Sequence, residues 1–448
     1  MKATDLIIIG SGPGGYRAAE YAAKHGLQVL IIEENEAGGT CLNRGCIPTK
    51  TLCRNAEITD TLRDADKSGL RNLSYGIDFS LIKERQITVI EQLRNGVEYL
   101  MSQPGITFVH GRGSFKDAGT VVVGSEEYTA RNIIIATGAV PKMPHISSFD
   151  ADAVITSDDL LLTDHIPQRL CIIGAGVIGM EFASIFSSFG SEVTVIEYMK
   201  ECLPVLDSDV AARLRKVLTR KGIKFYMQSA VTSVSRGCVT FEKKGKPQTI
   251  EADAILIATG RRPNIGGLNL DASGVEYDAG GIITDGNMRT NVAGIYAVGD
   301  VNNRCMLAHA ATMQGIRAVN TILGKADGIR FDIMPSAIFT NPEAASVGMS
   351  EDSCKSSGME YKCHKAYHRA NGKALAMNEP EGMVKLLADN SGKIIGCHAF
   401  GAHSADIVQE ISVLMCRNTT VAQLKDMIHA HPTVNEMLQE AAEALDMN

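Results

Sequence analysis

The sequence predicts an α/β fold with two Rossmann-like dinucleotide-binding domains, completed by a C-terminal α+β domain. Two observations predict the first two domains. A G-x-G-x-x-G motif occurs twice, and each copy lies between a short apolar strand and a helix. A third observation predicts the last domain, since strands and helices stop alternating after Pro335. These landmarks divide the chain into residues 1–142, 143–265, 266–334 and 335–448, of which the third segment returns to the first domain.

The composition excludes several classes of protein. The chain has 448 residues, 45% of them apolar, and a formal net charge of −7. This charge argues against a nucleic-acid partner, and no apolar run is long enough to cross a membrane. The functional glycines begin at Gly10, so we expect no leader peptide. The eleven cysteines lie mostly inside apolar segments, which is typical of a reducing compartment and predicts a cytoplasmic protein.

The first glycine motif has the surroundings of a nucleotide-binding loop. An apolar strand precedes it, a helix at residues 16–25 follows it, and the next strand ends in an acid. The glycines let the backbone close on a pyrophosphate at the helix N-terminus, and the acid can accept hydrogen bonds from ribose hydroxyls. A tight turn with a solvated glutamate is the alternative. The residues concerned are Gly10, Gly12, Gly14, Gly15 and Glu33.

The second glycine motif repeats this unit. Its acid, Glu197, stands as far along the chain from the first glycine as Glu33 does in the first copy. A carboxylate at this position accepts hydrogen bonds from two ribose hydroxyls and repels a 2′-phosphate, so Glu197 favours NAD over NADP. The repeat indicates two nucleotide domains. The glycines of the second copy are Gly174, Gly176 and Gly179.

A pair of cysteines, Cys41 and Cys46, lies in a glycine-rich stretch of the first domain. A disulfide needs Cα atoms about 4.4–6.8 Å apart, whereas five residues of extended chain span about 17 Å. The backbone must therefore coil between the cysteines, as one distorted helical turn does. A strained, accessible disulfide is easily reduced. A buried structural pair or two unrelated free thiols are the alternatives.

Two dinucleotide sites and a reducible disulfide together imply a path for electrons. One nucleotide should be FAD, because nicotinamide alone cannot readily divide a hydride between two sulfurs.

Residues 38–50, with the sequence GGTCLNRGCIPTK, resemble the active-site motif of the class I pyridine nucleotide–disulfide oxidoreductases. Within that family the chain is most similar to the dihydrolipoamide dehydrogenases, and the resemblance runs along its whole length. Two positions depart from the family pattern. Arg44 stands where a small apolar residue is usual, and Thr49 replaces a common serine. Because Arg44 would lie near the reaction centre, it can alter the substrate preference that the resemblance implies.

The resemblance implies that the first domain binds FAD and the second binds NAD. It also implies an ion pair between Lys50 and Glu181 at the flavin, where the lysine would stabilise negative charge. Asp300 would bind ribityl or ribose hydroxyls, or alternatively cap the helix at residues 308–321. No metal site is expected. The implied FAD contacts are Gly10, Gly12, Gly14, Gly15, Glu33, Thr40, Lys50, Thr137, Gly138, Asp300 and Ala308, and the implied NAD contacts are Gly174, Gly176, Gly179, Glu197 and Gly260.

A histidine near the C-terminus completes the candidate site. His431 and Glu436 match the H-P-T-x-x-E motif of the family. An imidazole can take a proton from a dithiol, and a carboxylate fixes its tautomer. We interpret the neighbouring His429 as structural. In the family the histidine acts on the disulfide of the other subunit, which implies a homodimer.

The resemblance therefore predicts that dihydrolipoamide reduces a Cys41–Cys46 disulfide, and that the electrons pass through FAD to NAD⁺. Cys41 would exchange with substrate, Cys46 would face the flavin, and Lys50 and Glu181 would assist. The implied partners are lipoyl-carrying proteins of 2-oxoacid dehydrogenase complexes or the glycine cleavage system. Two alternatives stay open: a related NAD(P)H-dependent flavin reductase of another disulfide or of a metal ion, and a non-enzymatic nucleotide-binding redox sensor.

Overall fold

The computed structural model describes residues 2–447. Its strands are β1 (Lys2–Ile9), β2 (Val29–Glu33), β3 (Ile106–His110), β4 (Gly113–Asp117), β5 (Thr120–Val123), β6 (Glu126–Ile135), β7 (Ala139–Pro141), β8 (Ser148–Phe149), β9 (Arg169–Ile173), β10 (Glu192–Ile196), β11 (Lys224–Tyr226), β12 (Ser229–Ser235), β13 (Cys238–Lys243), β14 (Lys246–Glu251), β15 (Ala254–Ile257), β16 (Arg261–Pro263), β17 (Tyr277–Asp278), β18 (Gly281–Ile282), β19 (Ile295–Ala297), β20 (Ser336–Ile338), β21 (Ala344–Gly348), β22 (Lys362–Tyr367), β23 (Met383–Ala388) and β24 (Ile394–Phe400).

The helices connect and cover these strands. They are α1 (Pro13–Lys24), α2 (Gly39–Arg44), α3 (Cys46–Arg63), α4 (Phe79–Met101), α5 (Ser157–Leu162), α6 (Val177–Ser188), α7 (Ser208–Arg220), α8 (Leu270–Ser273), α9 (Ala308–Ile322), α10 (Glu351–Ser357), α11 (Gly372–Ala376), α12 (Ser404–Cys416), α13 (Val421–Lys425) and α14 (Glu436–Asp446), with 3₁₀ turns at Ala65–Ser68, Ala151–Ala153, Gly299–Asn302 and His368–Ala370.

The chain forms two compact units, each built from three segments. The first unit contains residues up to 51, 80–142 and 260–329, and the second contains residues 52–79, 143–259 and those from 330 onward. In the first unit, β3, β2, β1 and β6 form a parallel sheet that β19 extends beside β6. The strands β5 and β4 continue it in antiparallel pairing.

The apolar strand β1 forms the centre of the first unit. Leu6 to Ile9 are at most 4% exposed, as expected of a parallel strand covered on both faces. Burying each of these side chains contributes about 1.5–3 kcal/mol. Helix α1 follows directly and packs on α9, where a Cβ on Gly315 would lie 2.5 Å from the carbonyl oxygen of Gly14. The glycine thus allows the two helix backbones to approach closely.

The second unit contains two kinds of sheet within its nucleotide-binding part. The parallel sheet β11-β10-β9-β15 repeats the central order of the first unit. A smaller sheet, β14-β13-β12-β8, packs apolar side chains such as Phe241 and Val239 into a core shared with Ile173 and Ile255.

The remainder of the second unit is an antiparallel sheet with helices. Its strand order is β20-β21-β24-β23-β22. Helices α12 and α14 supply Ile407, Ile411, Leu438 and Ala442 to the core that this sheet buries. The short helices α10 and α11 interrupt the strands, and α12, α13 and α14 follow them. Strands and helices thus do not strictly alternate, as predicted for an α+β domain.

The predicted fold class is confirmed, although some element bounds differ. Helix α1 begins at Pro13 rather than at Tyr16, because proline fits the first helical position, where its missing N–H costs nothing. Within residues 2–447, none of the helices combines the length and apolarity needed to span a bilayer. The four domain bounds drawn from the sequence stay a prediction.

A buried lysine joins the two parts of the second unit. Lys385 on β23 is completely buried, and its Nζ lies 2.6 Å from Asp207 Oδ1 and 2.5 Å from Glu351 Oε2. Its hydrogen bond to Glu351 is the main influence that lowers the pKa of this carboxyl to about 2. The charged form of Glu351 is therefore favoured by folding.

We predict that this carboxylate contributes stability that is lost in acid. Because folding lowers the pKa of Glu351 from 4.5 to about 2, its contribution is complete above about pH 4.5 and disappears as the pH falls toward 2. Chemical unfolding of the wild type and of Glu351→Gln at several pH values measures it. The difference in free energy of unfolding should shrink over this range, whereas Glu440→Gln, at an exposed site on α14, should show no such trend. A difference independent of pH would contradict the prediction.

Candidate functional site

The first glycine loop, between β1 and α1, has no room for side chains on its inner side. A Cβ on Gly15 would lie 1.9 Å from the carbonyl oxygen of Gly10. A Cβ on Gly10, whose φ is +102°, would lie 2.4 Å from that of Ala136. On the outer side, a Cβ on Gly12 would meet no atom of the described chain within 4 Å. The loop thus presents free backbone beside the N-terminus of α1, as a dinucleotide pyrophosphate requires.

The second glycine loop, between β9 and α6, has the same geometry. A Cβ on Gly179 would lie 2.1 Å from the carbonyl oxygen of Gly174. A Cβ on Gly174, whose φ is +110°, would lie 2.5 Å from that of Ala258, and Gly176 faces open space. The sequence repeat is therefore also a repeat of backbone contacts, and both loops fit a dinucleotide.

The acid at the end of β2 is held by the first loop. Glu33 is 8% exposed, and its Oε2 accepts hydrogen bonds from the backbone N–H and the hydroxyl of Ser11 at 2.8 and 2.7 Å. Its Oε1 accepts from the backbone N–H of Asn35 at 2.9 Å. These bonds fix the carboxylate and leave acceptor capacity for ribose hydroxyls. The sequence did not reveal Ser11, since a serine between glycines has no periodic signal.

Glu197 repeats this arrangement at the end of β10. Its Oε2 accepts from the backbone N–H of Ala175 at 2.6 Å, and its Oε1 accepts from that of Met199 at 2.8 Å. Glu197 is more exposed than Glu33, and Tyr198 beside it is 75% exposed. Farther along the chain, Gly260 has a φ of +105° and faces open space. The predicted NAD contacts Gly174, Gly176, Gly179 and Glu197 therefore lie in the second unit, whereas Gly260 is the first residue of a segment of the first unit.

The remaining predicted FAD contacts lie in the first unit. Thr137 Oγ1 donates to the carbonyl oxygen of Asn264 at 2.7 Å, and Gly138 faces open space. Thr40 lies in α2, and Ala308 is the first residue of α9.

Asp300 lies in the 3₁₀ turn that follows β19. Burial raises its pKa, and the Arg261 guanidinium opposes that rise. The residue that precedes α9 is Leu307, which offers no side-chain cap. The alternative that Asp300 caps this helix is therefore wrong. The buried Gln314, whose Oε1 accepts from the backbone N–H of Gly299 at 2.8 Å, was not found from the sequence.

The two cysteines lie on either side of a break between two helices. Cys41 belongs to α2, Cys46 begins α3, and Gly45 between them has φ −144° and ψ −109°. A Cβ on Gly45 would lie 2.9 Å from the carbonyl oxygen of Thr40. The backbone coils between the sulfurs as the spacing predicts.

The side chains of Cys41 and Cys46 form a hydrogen bond. The hydrogen bond between Cys41 and Cys46 is the largest cause that raises the pKa of Cys41, followed by burial, while Lys50 opposes the rise. The protonated form of Cys41 is therefore favoured.

The cysteine segment packs directly on the first glycine loop. Gly38 N–H donates to the carbonyl oxygen of Ser11 at 3.1 Å. A Cβ on Gly39, whose φ is +62°, would lie 2.6 Å from Gly12 Cα. Only glycine permits this contact, which places the start of the redox segment against the nucleotide loop.

The charged residues predicted near the flavin lie on different helices. Lys50 follows Cys46 by one turn of α3, and Arg44 Nη2 lies 3.7 Å from Glu36 Oε2. Glu181 on α6 is 3% exposed, and its Oε1 accepts from the backbone N–H of Phe339 at 2.9 Å. The pairing of Lys50 with Glu181 stays a prediction.

The candidate base lies in the loop before α14. His431 Nδ1 is 2.9 Å from Glu436 Oε1, and Glu436 Oε2 accepts from the backbone N–H of Thr433 at 2.8 Å. The bond from Thr433 and then that from His431 lower the pKa of Glu436. The carboxylate is therefore ionised and can orient the imidazole, whose side chain is 79% exposed.

Residues around this loop hold it in place. His429 Nε2 lies 2.9 Å from Glu410 Oε1, and Asn435 Nδ2 donates to Glu410 Oε2 at 2.7 Å. Asn371 Nδ2 donates to the carbonyl oxygen of Thr433 at 3.0 Å. These contacts agree with our structural interpretation of His429. Glu410 and Asn371 lie outside the H-P-T-x-x-E motif in the sequence, so the motif does not indicate that they hold this loop.

In the part of the chain that the structure describes, no group of histidine, cysteine and acidic side chains has the arrangement of a metal site.

Comparisons with known proteins agree with this geometry. The family described as pyridine nucleotide-disulphide oxidoreductase matches residues 4–315, and its dimerisation domain matches residues 334–442. Dihydrolipoyl dehydrogenase of Chlamydia muridarum is 40% identical, over 98% of this chain and 96% of that protein. Dihydrolipoyl dehydrogenase of Bacillus subtilis is 36% identical, over 99% of this chain and 98% of that protein.

A solved structure has the same fold. The Cu(II) complex of the HOCl-induced flavoprotein disulfide reductase RclA from Escherichia coli superimposes with a TM-score of 0.88 and 28% identity, over 99% of this chain and 100% of that chain. Together with the family match over most of the chain, this shows that the protein belongs to the pyridine nucleotide-disulphide oxidoreductases and carries their dimerisation domain.

Proposed function

We propose that this chain is an FAD-dependent dihydrolipoamide dehydrogenase that reduces NAD⁺. The observation that carries the proposal is the position of the Cys41 and Cys46 thiols, whose segment packs on the first glycine loop through Gly39 and Gly12. A dithiol beside a dinucleotide loop suits transfer of an electron pair between sulfur and a nucleotide ring. The full-length similarity to dihydrolipoyl dehydrogenases supports this substrate.

The cysteines exchange disulfides with the substrate. In the oxidised enzyme, one substrate thiolate attacks Cys41 of the Cys41–Cys46 disulfide, and Cys46 leaves as a thiolate. The second substrate thiolate then attacks the substrate sulfur bound to Cys41, which closes the cyclic disulfide and releases Cys41. The substrate loses two electrons and two thiol protons, and the enzyme pair gains the electrons. The hydrogen bond that keeps the proton on Cys41 supports these two roles.

His431 handles the protons of this exchange. An imidazole titrates near neutral pH and can accept a proton from a substrate thiol. The contact with Glu436 at 2.9 Å leaves Nε2 as the nitrogen for proton transfer. The exposure of His431 in the single chain suits a base that acts on the disulfide of the partner subunit.

The glycine loops and their acids hold the two nucleotides. When bound, FAD supplies the electron transfer between the dithiol and NAD⁺. Glu33, Thr137 and Asp300 would bind FAD from the first unit. The ammonium group of Lys50, in the ion pair expected with Glu181, would stabilise negative charge on the flavin. Glu197 would bind the NAD⁺ ribose.

The dimerisation-domain match supports a homodimer. We further propose that the substrate is carried by lipoyl proteins of 2-oxoacid dehydrogenase complexes or of the glycine cleavage system. We also propose a cytoplasmic location, because most of the eleven cysteines lie inside apolar segments, as is typical of a reducing compartment.

A reductase of another disulfide or of a metal ion is the competing function. The similarity to RclA, described as a Cu(II) complex, raises this possibility. Arg44 also leaves it open, because it departs from the family's cysteine motif at a position that can alter substrate preference. A redox sensor without catalysis is a further alternative. Substrate assays separate these functions.

We expect purified protein to bind about one FAD per chain and to oxidise dihydrolipoamide with NAD⁺ far faster than it reduces glutathione disulfide or Cu(II). Cys41→Ser and Cys46→Ser should both be inactive and retain FAD. Only Cys41→Ser should show the long-wavelength absorbance of a thiolate beside oxidised flavin, because Cys46 is then always free. The reverse absorbance pattern would exchange the sulfur roles, and a preference for another oxidant would replace the proposed substrate.

The nucleotide preference tests Glu197. Replacing it with alanine removes the charged acceptor of two hydroxyls, which costs roughly 1.5–3 kcal/mol and should raise the KM for NAD⁺ about 10-fold to 100-fold. Glu197→Gln, which keeps one acceptor, should lose less. Initial rates with NAD⁺ and NADP⁺ measure both effects. A wild type that already prefers NADP⁺ would show that the assignment is wrong.

A test with mixed dimers addresses His431. His431→Gln and Cys46→Ser chains should each be nearly inactive as homodimers. A heterodimer of the two contains one site with an intact histidine and intact cysteines if the base acts across the dimer. Doubly tagged heterodimers should therefore regain about half of the wild-type activity. Well-formed heterodimers without activity would mean that the base acts within its own chain.

A further inference from the structure

The segment between β10 and α7, residues 197–208, contacts the second glycine loop at one end. We name this segment the strap. Glu197 accepts from the N–H of Ala175 at 2.6 Å, and Leu203 N–H donates to the carbonyl oxygen of Ala175 at 2.9 Å. The strap therefore holds one residue of the glycine loop, Ala175, by both of its backbone polar groups.

The other end of the strap is fixed by Asp207, which is 1% exposed. Asp207 N–H donates to His398 Nδ1 at 3.0 Å, Oδ1 accepts from Lys385 at 2.6 Å, and Oδ2 accepts from the N–H of Glu351 at 2.9 Å. His398 Nε2 lies 3.2 Å from the carbonyl oxygen of Met349, so its Nδ1 is free to accept.

The charges at this anchor are stable near neutral pH. Burial lowers the pKa of His398 to about 4, so the imidazole is neutral. Lys385 is completely buried and is matched by two carboxylates. A buried charge with such partners holds its neighbours in one geometry, because separating them would leave it unpaired.

Further hydrogen bonds hold the strap near its C-terminal end. The backbone N–H and the hydroxyl of Ser208 donate to Asp352 at 2.7 and 2.9 Å, and Ser346 Oγ donates to the carbonyl oxygen of Val205 at 3.1 Å. Between the two ends, the buried Leu203 has a φ of +50°. A leucine keeps this left-handed conformation only where the surrounding structure enforces it.

We propose that Lys385, acting through Asp207, is a positioning residue of the nicotinamide nucleotide site. It fixes the strap to the antiparallel sheet, and the strap in turn fixes Ala175 and Glu197. The inference rests on the assignment of this site to NAD under the proposed function. It adds that the sheet of the dimerisation domain sets the affinity for the nucleotide.

The test is a charge-neutral pair of substitutions, Lys385→Met with Asp207→Asn, in the full-length enzyme with FAD bound. Removing both charges avoids an unpaired buried ion, because the remaining carboxylate, Glu351, is 23% exposed and keeps Lys355 at 3.0 Å and the Tyr361 hydroxyl at 2.8 Å as partners. We expect the Kd and the KM for NAD⁺ to rise about fivefold to tenfold. The rate at which dihydrolipoamide reduces the enzyme, measured by stopped flow without NAD⁺, should stay within about twofold.

Lys365→Met is the matched control. Lys365 faces Lys385 across the neighbouring strand, but its partner is Asp209, at 2.7 Å, and its side chain is 32% exposed. A solvent-screened ion pair contributes little, so this variant should keep wild-type affinity for NAD⁺.

Unchanged affinity for NAD⁺ in the folded double variant would overturn the proposal. An equal loss of NAD⁺ affinity and of the rate of reduction by dihydrolipoamide would also overturn it, because it would indicate a purely structural role. Should that variant not fold, Ser346→Ala with Asp352→Ala removes the hydrogen bonds to Val205 and Ser208 of the strap and should raise the Kd for NAD⁺ about threefold. An unchanged Kd in this variant would also overturn the proposal. If Glu197→Ala leaves NAD⁺ binding intact, the assignment of this site to NAD⁺ fails instead.

Discussion

Close backbone approach at two glycine loops is the constraint on which the nucleotide-binding parts depend. At Gly15 and Gly179 the position of a Cβ would fall 1.9 and 2.1 Å from a carbonyl oxygen of the same loop. Any side chain would push the helix away from the strand before it. The open outer side of each loop, at Gly12 and Gly176, follows from the same geometry. The two copies therefore share backbone contacts rather than only a motif.

The redox segment uses the first loop as its support. Because Gly39 abuts Gly12, the helix that carries Cys41 begins against the nucleotide loop. The break at Gly45 then brings Cys46 back toward Cys41, and the hydrogen bond between them together with burial raises the pKa of Cys41. A symmetric pair of cysteines in the sequence thus becomes an asymmetric pair, which suits a division into an exchanging sulfur and a retained thiolate.

Polar networks, half-buried at the His431 loop and buried at the strap, hold these two loops of the second unit in addition to apolar contacts. The loop that carries His431 is tied by Glu410 and Asn371, and the strap of the second glycine loop is tied by Lys385 and Asp207. Such networks specify one geometry because every unmade bond in a buried place is costly. Both loops are anchored to the same antiparallel sheet and its helices. The dimerisation domain therefore holds the His431 loop and also the strap beside the second glycine loop.

The sequence by itself determined the two repeated glycine-loop units and singled out the cysteine pair and the histidine motif as candidate site residues, because each depends on local spacing or on backbone that only glycine permits. Element bounds near these motifs were predicted within a few residues. Only the tertiary structure decided the contacts of Ser11, Gln314 and Asn371 and the role of Leu307 in place of Asp300 at the start of α9. It also brought Lys385 to Asp207, 178 positions apart. Such pairs leave no periodic signal, since their partners meet only when distant segments pack together and bury them.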